Sequence, residues 1–169
     1  MNIFYIIPLA VLVLVGCDQQ SKPVASSHIT PTAPPVTYKP LLVSGSSIGN
    51  VFTLTNRELG GQAINYPSRA GLVNVMEFVI DNPDDTGYVG VEKAYAFGEK
   101  NLLIVSTGEY GLSCPATTYA LTYDSESESV TGKKVIEGCS ENVETLTEGN
   151  KLTVKKEGES SIFYNGEVK

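Results

Sequence analysis

The three cysteines carry the most reactive side chains of this chain. A deprotonated thiol is both a nucleophile and a metal ligand, so the surroundings of each cysteine decide its chemistry. Cys17 stands directly after a long apolar run near the start of the chain. Cys114 and Cys139 lie in the second half, without a Cys-x-x-Cys motif and without a nearby histidine. That pattern favours neither a metal pair nor a redox couple.

The apolar run covers residues 3–15 and ends in Leu14-Val15-Gly16-Cys17. A helix of this length reaches roughly 20 Å, which is too short to span a hydrocarbon core of about 30 Å. The run instead has the length of the apolar region of a signal peptide. Its end resembles the lipobox of bacterial lipoprotein precursors, in which an apolar residue and two small residues precede a cysteine.

The resemblance to lipoprotein precursors implies how the chain would be processed. Residues 1–16 would be the signal peptide, cleavage would fall after Gly16, and Cys17 would become the N-terminus, lipidated with diacylglyceryl and a fatty acid such as palmitate. Two or three acyl chains anchor a protein almost irreversibly, because each buried methylene contributes about 0.8 kcal/mol. We therefore expect a lipoprotein of the cell envelope, anchored in a membrane on the periplasmic or outer side. Asp18 favours the inner membrane in some enteric bacteria, so the choice between inner and outer membrane stays open.

Residues 17–40 are predicted to form the lipidated cysteine and a tether. Five of the nine prolines lie here, with Ser, Thr and Ala between them. A segment of this composition cannot bury enough apolar area to offset its ordering entropy. The only histidine, His28, is expected to be a solvated residue of this tether.

Residues 41–169 are predicted to form an all-β domain, an antiparallel sandwich or small barrel of about eight strands. Apolar and polar residues alternate with period two, and Gly, Asn, Pro and Asp clusters separate the runs. Residues 102–105 form a fully apolar run, whereas residues 57–72 are the least regular. The alternation predicts a strand over residues 75–80. It also predicts three strand faces, which are Val91 with Lys93, Tyr95 and Phe97; Tyr119 with Leu121 and Tyr123; and Leu152 with Val154, opposite a water-facing Thr153.

Cys114 and Cys139 form an even pair in a domain that is expected to be exported, where disulfides persist. A bridge between them would close a loop of about 25 residues and stabilise the domain by about 3–4 kcal/mol. Both cysteines lie at the edges of expected strands. We therefore predict a Cys114–Cys139 disulfide bond.

Gly45-Ser46-Ser47-Ile48-Gly49 matches the G-x-S-x-G nucleophile motif. That motif needs a strand–turn–helix context and a later histidine as general base. No histidine follows it in the sequence. We interpret the segment as a Ser/Gly-rich loop.

Two other segments are candidate sites. Asp81, Asp84 and Asp85 surround a proline, and calcium prefers several carboxylate oxygens on a flexible turn. Asp-rich turns also form for their own local hydrogen bonds, and the spacing is not that of an EF-hand. Glu109 and Tyr110 place an acid and an aromatic ring on the connection that leads to Cys114, so they are the candidate binding residues.

The net charge is −7, from 19 acidic and 12 basic residues. This balance excludes nucleic acid as the main partner, because binding to phosphates needs a basic surface. The second half is acidic through Glu126, Glu128, Glu137, Glu141, Glu144 and Glu148. These residues form either a solvated face or a surface that steers a basic partner.

The residues favour a binding protein over an enzyme, because the domain lacks histidine and no metal or cofactor motif is present. We expect a non-enzymatic envelope lipoprotein, with an inhibitor or immunity protein against a basic hydrolase or toxin as its specific form. Small β lipoproteins with one disulfide that inhibit C-type lysozymes are similar in plan. The alternative is a structural or assembly accessory of an envelope or secretion complex. A hydrolase would have to use carboxylates alone, for instance Asp81 with Glu77 or Asp84.

Overall fold

The alternating pattern forms β-strands throughout the part of the chain that the structure describes. A computed structural model describes residues 35–58, 62–81, 87–108, 116–140 and 142–169. Its strands are β1 (Lys39–Pro40), β2 (Ser47–Ile48), β3 (Phe52–Asn56), β4 (Gln62–Ser68), β5 (Gly71–Asn74), β6 (Tyr88–Phe97), β7 (Lys100–Gly108), β8 (Thr117–Asp124), β9 (Ser129–Ile136), β10 (Glu144–Glu148), β11 (Lys151–Lys156) and β12 (Glu159–Tyr164). The predicted all-β fold is confirmed. The described residues contain more strands than the eight expected. β1 and β2 are two additional, very short strands, and the irregular region 57–72 contributes to the β4–β5 hairpin.

The strands form three antiparallel sheets. The central sheet has the order β1-β6-β7-β8-β9, the first outer sheet β2-β3-β4-β5, and the second outer sheet β10-β11-β12. One apolar cluster joins the first outer sheet to the central sheet. A second cluster joins the second outer sheet to the other face of the central sheet. The domain is therefore built in three layers, with the five-stranded sheet in the middle.

β7 is covered on both faces. Leu103 and Val105 pack into the first cluster, and Leu102 and Ile104 pack into the second. All four side chains are fully buried. A strand that is buried on both sides has no polar face, and this explains the continuous apolar run in the sequence.

A β-bulge in β6 reverses the predicted face of this strand. The pairing of β6 with β7 shifts between Val91 and Lys93, so Glu92 is an extra residue. Val91 packs against the first cluster, whereas Tyr95 and Phe97 belong to the second. The prediction that Val91, Lys93, Tyr95 and Phe97 share one face is wrong, because the extra residue exchanges the two sides of the strand after it.

The other predicted faces are confirmed, with one exception. The confirmed faces are those of β8 (Tyr119, Leu121, Tyr123) and β11 (Leu152, Val154), which pack into the first and the second cluster respectively. Thr153 is buried, although it was expected to face water. Thr153 lies on the outer face of the second outer sheet. Leu146 of β10 and Ile162 of β12 pair with it, and their side chains flank it.

Residues 75–80 do not form the predicted strand. Val75–Phe78 is a 3-10 helix, and the Asn74 side chain accepts a hydrogen bond from the Met76 N–H at 3.2 Å. Met76 and Val79 are both buried in the first cluster. Two buried positions three residues apart fit a helical turn and not a strand, in which they would point to opposite sides. The described residues contain no helix that is long and apolar enough to cross a membrane.

The C-terminal segment crosses β8 and β9 on the side of the second cluster. The Val168 N–H donates to Thr122 Oγ1 at 3.0 Å, and the Thr122 hydroxyl donates to the Gly166 carbonyl at 2.8 Å. A Cβ atom on Gly132 of β9 would collide with the Val168 carbonyl oxygen. Glycine is therefore needed where the segment crosses β9.

Gly132→Ala is expected to lower the free energy of unfolding by about 1–3 kcal/mol, because the added methyl group must displace backbone atoms. Gly90→Ala is the matched control, since a Cβ at this β6 position meets no atom within 4 Å. Urea unfolding followed by circular dichroism measures both. Equal effects of the two substitutions would contradict the close approach at Gly132.

Candidate functional site

The chain enters the domain at one end of the central sheet. The Tyr38 N–H donates to the Gly149 carbonyl at 3.1 Å, and Lys39 pairs with Ala96 near the end of β6. The C-terminal segment lies at the same end, because the Gly166 N–H donates to the Tyr38 hydroxyl at 2.9 Å. We call this the entry end.

The opposite end of the sheet carries the longer connections. β6 connects this end to the entry end, and its ten residues span about 30 Å. Tyr88 pairs there with Gly108, and Thr118 pairs with Ile136. The connections that begin or end here are residues 79–87, 109–116 and 137–143. We call this the loop end.

Several predicted site residues lie outside the described part of the chain, namely Cys17, Asp84, Asp85, Glu109, Tyr110 and Cys114. Asp81, the remaining calcium candidate, is exposed at the loop end. No three His, Cys, Asp or Glu residues come together in a way that could hold a metal ion within the described ranges. The calcium site and the binding role of Glu109 and Tyr110 therefore stay predictions.

A buried lysine links the central sheet to the second outer sheet at the loop end. Lys156 is 1% exposed, and its Nζ donates to Thr118 Oγ1 at 2.9 Å and to the Ala116 carbonyl at 3.3 Å. Thr118 Oγ1 is in turn 3.0 Å from Ser106 Oγ. The alternation of β11 points to this burial, because Lys156 follows Leu152 and Val154 at intervals of two.

Acidic side chains surround this lysine. Removal from water lowers the pKa of Lys156, and the negative charges of Glu157, Glu92 and Glu137 act in the opposite direction. Glu144 lines a cleft of about 300 Å³ together with Lys156 and Glu157. We call Glu92, Glu137, Glu144 and Glu157 the acidic rim of the loop end.

Glu157 also has a structural role. It occupies the two-residue turn between β11 and β12 with a φ of 51°, a conformation that favours glycine or asparagine. Its Oε2 accepts a hydrogen bond from the Cys139 N–H at 2.9 Å. This contact ties the turn to the connection between β9 and β10.

Residues close in sequence to Cys114 and Cys139 lie at the same lysine. Ala116, two residues after Cys114, accepts a hydrogen bond from Lys156. A Cβ on Gly138, the residue before Cys139, would lie 3.3 Å from Lys156 Cγ. Cys114 itself lies outside the described residues, so the pairing stays a prediction.

The acidic residues of the second half do not share one face. Glu137 and Glu144 lie at the loop end, whereas Glu126 and Glu128 lie on the turn between β8 and β9 at the entry end. Glu128 is a structural residue there: its carboxylate accepts from the Arg69 backbone N–H at 3.0 Å and pairs with Arg69 Nε at 3.2 Å. Glu141 lies outside the described residues, and Glu148 pairs with Lys151 at 2.9 Å, close to the entry end.

The G-x-S-x-G segment forms a loop and a short strand, as interpreted from the sequence. Ser44 Oγ accepts hydrogen bonds from the backbone N–H groups of Ser46 and Ser47. Ser47 then enters β2, so no helix follows the serine. The segment therefore lacks the strand–turn–helix geometry of a nucleophile elbow.

Comparison of the chain with protein-family models, with curated proteins and with solved structures finds no match.

Lys156 generates a pH-dependent prediction. Its pKa in the folded chain is lower than the ordinary value of 10.5, so between these two values the unfolded chain binds a proton that the folded chain has released. The free energy of unfolding of the wild type should therefore rise with pH relative to Lys156→Met as the pH approaches 10.5. Urea unfolding at a series of pH values measures the difference.

Lys155→Met, which removes a lysine at the exposed neighbouring position, is the matched control for the substitution itself. Parallel pH profiles of the wild type and Lys156→Met would contradict the lowered pKa.

Proposed function

We propose that this protein is a lipid-anchored lipoprotein of the bacterial cell envelope whose β domain binds a basic protein at the loop end. The single observation that carries the proposal is the separation of the two ends of the central sheet. The chain enters at Tyr38, and the acidic rim lies about 30 Å away at the other end. A tether that begins at a lipidated Cys17 would hold the entry end toward the membrane and leave the rim accessible.

The charges of the loop end support a basic partner. Three of the four carboxylates of the acidic rim belong to exposed residues, and Glu92 is half-buried. Lys156 does not reach outward to them, because its ammonium group is hydrogen-bonded to Thr118 and Ala116 in the interior. Surface carboxylates of this kind attract a basic partner and steer its approach.

Inhibition or immunity is the specific form of the proposed binding. A basic hydrolase or toxin that reaches the envelope would meet the rim before it met the membrane. C-type lysozymes are the first class to test, because the plan of this chain is similar to that of their small β lipoprotein inhibitors. The predicted Cys114–Cys139 disulfide would support the same surface. Ala116, two residues after Cys114, accepts a hydrogen bond from Lys156, and a Cβ on Gly138, the residue before Cys139, would touch the Lys156 side chain.

The alternative is a structural or assembly accessory of an envelope or secretion complex. One observation favours it: β9 is an edge strand of the central sheet, and an edge strand can pair with a strand of another protein. A binding lipoprotein should be monomeric and soluble once it is released from the membrane. An accessory would need its partner to stay in solution.

The lipid anchor predicts that Cys17→Ser moves the protein out of the membrane fraction. The substitution removes the thiol that would carry the diacylglyceryl group, and with it the acyl chains that bind the bilayer. Fractionation with a carbonate wash measures this, and Cys139→Ser serves as the control that removes another cysteine. Cys17→Ser protein that stays in the washed pellet would contradict the lipoprotein assignment.

The acidic rim predicts a charge-dependent partner. Glu137→Lys combined with Glu144→Lys should weaken capture of a basic protein from envelope extract about tenfold or more, because attraction becomes repulsion. Glu99→Lys combined with Glu126→Lys makes the same change of net charge at exposed positions of the entry end. This control should retain the partner. Captured proteins are identified by mass spectrometry at low and moderate salt, and purified C-type lysozyme is tested directly.

Two results would contradict the proposed function. Equal loss in both double variants would mean that only the net charge of the protein matters. Absence of any basic partner at low salt would mean that the loop end has another ligand or none.

A further inference from the structure

A second surface lies at the free edge of the central sheet. β9 is the last strand of that sheet and pairs with β8 along its length. Its other edge forms no backbone hydrogen bond within the described ranges. After a β-bulge at Thr131, the five residues 132–136 form a regular edge whose outward N–H and C=O groups are a template for one more strand.

A cleft lies beside this edge. It has a volume of about 480 Å³, and its apolar walls come from Val79, Ile80, Tyr119 and Val135. Val135 belongs to β9 itself and is 42% exposed. A strand added at the edge would place alternate side chains against these walls, because side chains of a strand point to one face at every second residue.

Two lysines set the charge of this edge. Lys133 pairs with Leu121, which faces the first cluster, and Lys134 pairs with Ala120, which faces the second. The edge therefore carries an ammonium group on each face. Lys133 Nζ is held in place by the Val79 carbonyl at 2.8 Å. Asp81 is the carboxylate residue that lines the cleft.

We infer that the edge of β9 and its cleft bind an extended acidic segment of a partner protein as a sixth strand of the central sheet. Main-chain hydrogen bonds to β9 would supply the pairing, and apolar side chains would fill the cleft. Carboxylates on the opposite face of the added strand would pair with Lys134, while Lys133 adds positive charge on the cleft side. This surface adjoins the acidic rim, since Glu137 follows the last residue of β9, and it has the opposite charge preference.

The chain itself fits this edge poorly. A second copy of β9 would bring the lysines of both copies together, and like charges on paired strands are destabilising. Residues 19–40 contain five prolines, which lack the N–H group that a strand needs, and no Asp or Glu. The occupant that the charges favour is a segment of another protein.

Labelled seven-residue peptides, blocked at both ends, test this inference by fluorescence anisotropy with the detergent-solubilised full chain. A peptide of alternating valine and glutamate should bind, and one of alternating valine and lysine should not. Methylation of alternate backbone nitrogens of the glutamate peptide should abolish binding, because it removes the main-chain donors without changing the charges. Equal binding of the two charge types, equal binding after methylation, or no binding of the glutamate peptide would overturn the inference.

Variants then locate the site. Lys133→Glu combined with Lys134→Glu should weaken binding of the glutamate peptide about tenfold, through loss of the charge pair with Lys134 and the repulsion that two new carboxylates add. Lys39→Glu combined with Lys155→Glu, at exposed positions away from this edge, should change it less than about twofold. Lys134→Glu alone keeps the hydrogen bond of Lys133 to Val79 and should give an intermediate loss, which guards against a folding defect. Equal loss in both double variants would overturn the assignment to β9.

The acidic-rim variants separate the two proposals. Glu137→Lys combined with Glu144→Lys should not weaken binding of the glutamate peptide, because it removes negative charge near the end of β9, whereas it should weaken binding of a basic partner.

Discussion

Burial of β7 on both faces is the constraint on which the rest of this structure depends. Each of its four apolar side chains in residues 102–105 is fully buried, and burial of one such side chain contributes about 1.5–3 kcal/mol. Such a strand is stable only if a layer covers each side, so the domain needs both outer sheets. The covered faces of the central sheet are then unavailable to a partner. The two proposed binding surfaces, the acidic rim and β9, accordingly lie at one end and at one edge of that sheet.

The sequence predicts the strands well where the ladder is regular. Alternation identifies the buried faces of β8 and β11, because a period of two translates directly into sides of a sheet. The prediction from alternation fails at Glu92 and in residues 75–80, although apolar and polar residues still alternate there. A bulge is a property of how two strands pair, and the 3-10 helix depends on the Asn74 cap and on the cluster beneath it. Neither is contained in the periodicity of one segment.

The candidate site is less predictable, because neighbours in sequence are separated in space. Glu126 and Glu137 are eleven residues apart, but β9 lies between them and carries them to opposite ends of the central sheet. The acidic residues of the second half therefore contribute to an ion pair of Glu128 with Arg69 at the entry end and to the acidic rim at the loop end. Lys156 is the exception, since its position in the alternation of β11 already places it inside. Its partners Thr118 and Ala116 come from another sheet and require the fold.

Lys156 explains how the acidic rim is compatible with a stable fold. Carboxylates that lie close together repel one another, and a positive charge beneath them reduces that repulsion. The ammonium group of Lys156 acts on Glu157, Glu92 and Glu137, but its hydrogen bonds hold it in the interior. It can therefore lower the electrostatic cost of the rim without occupying the space in front of it. In the proposed complex, a cationic side chain of the partner would join Lys155, the cross-strand neighbour of Glu144, in neutralising these carboxylates.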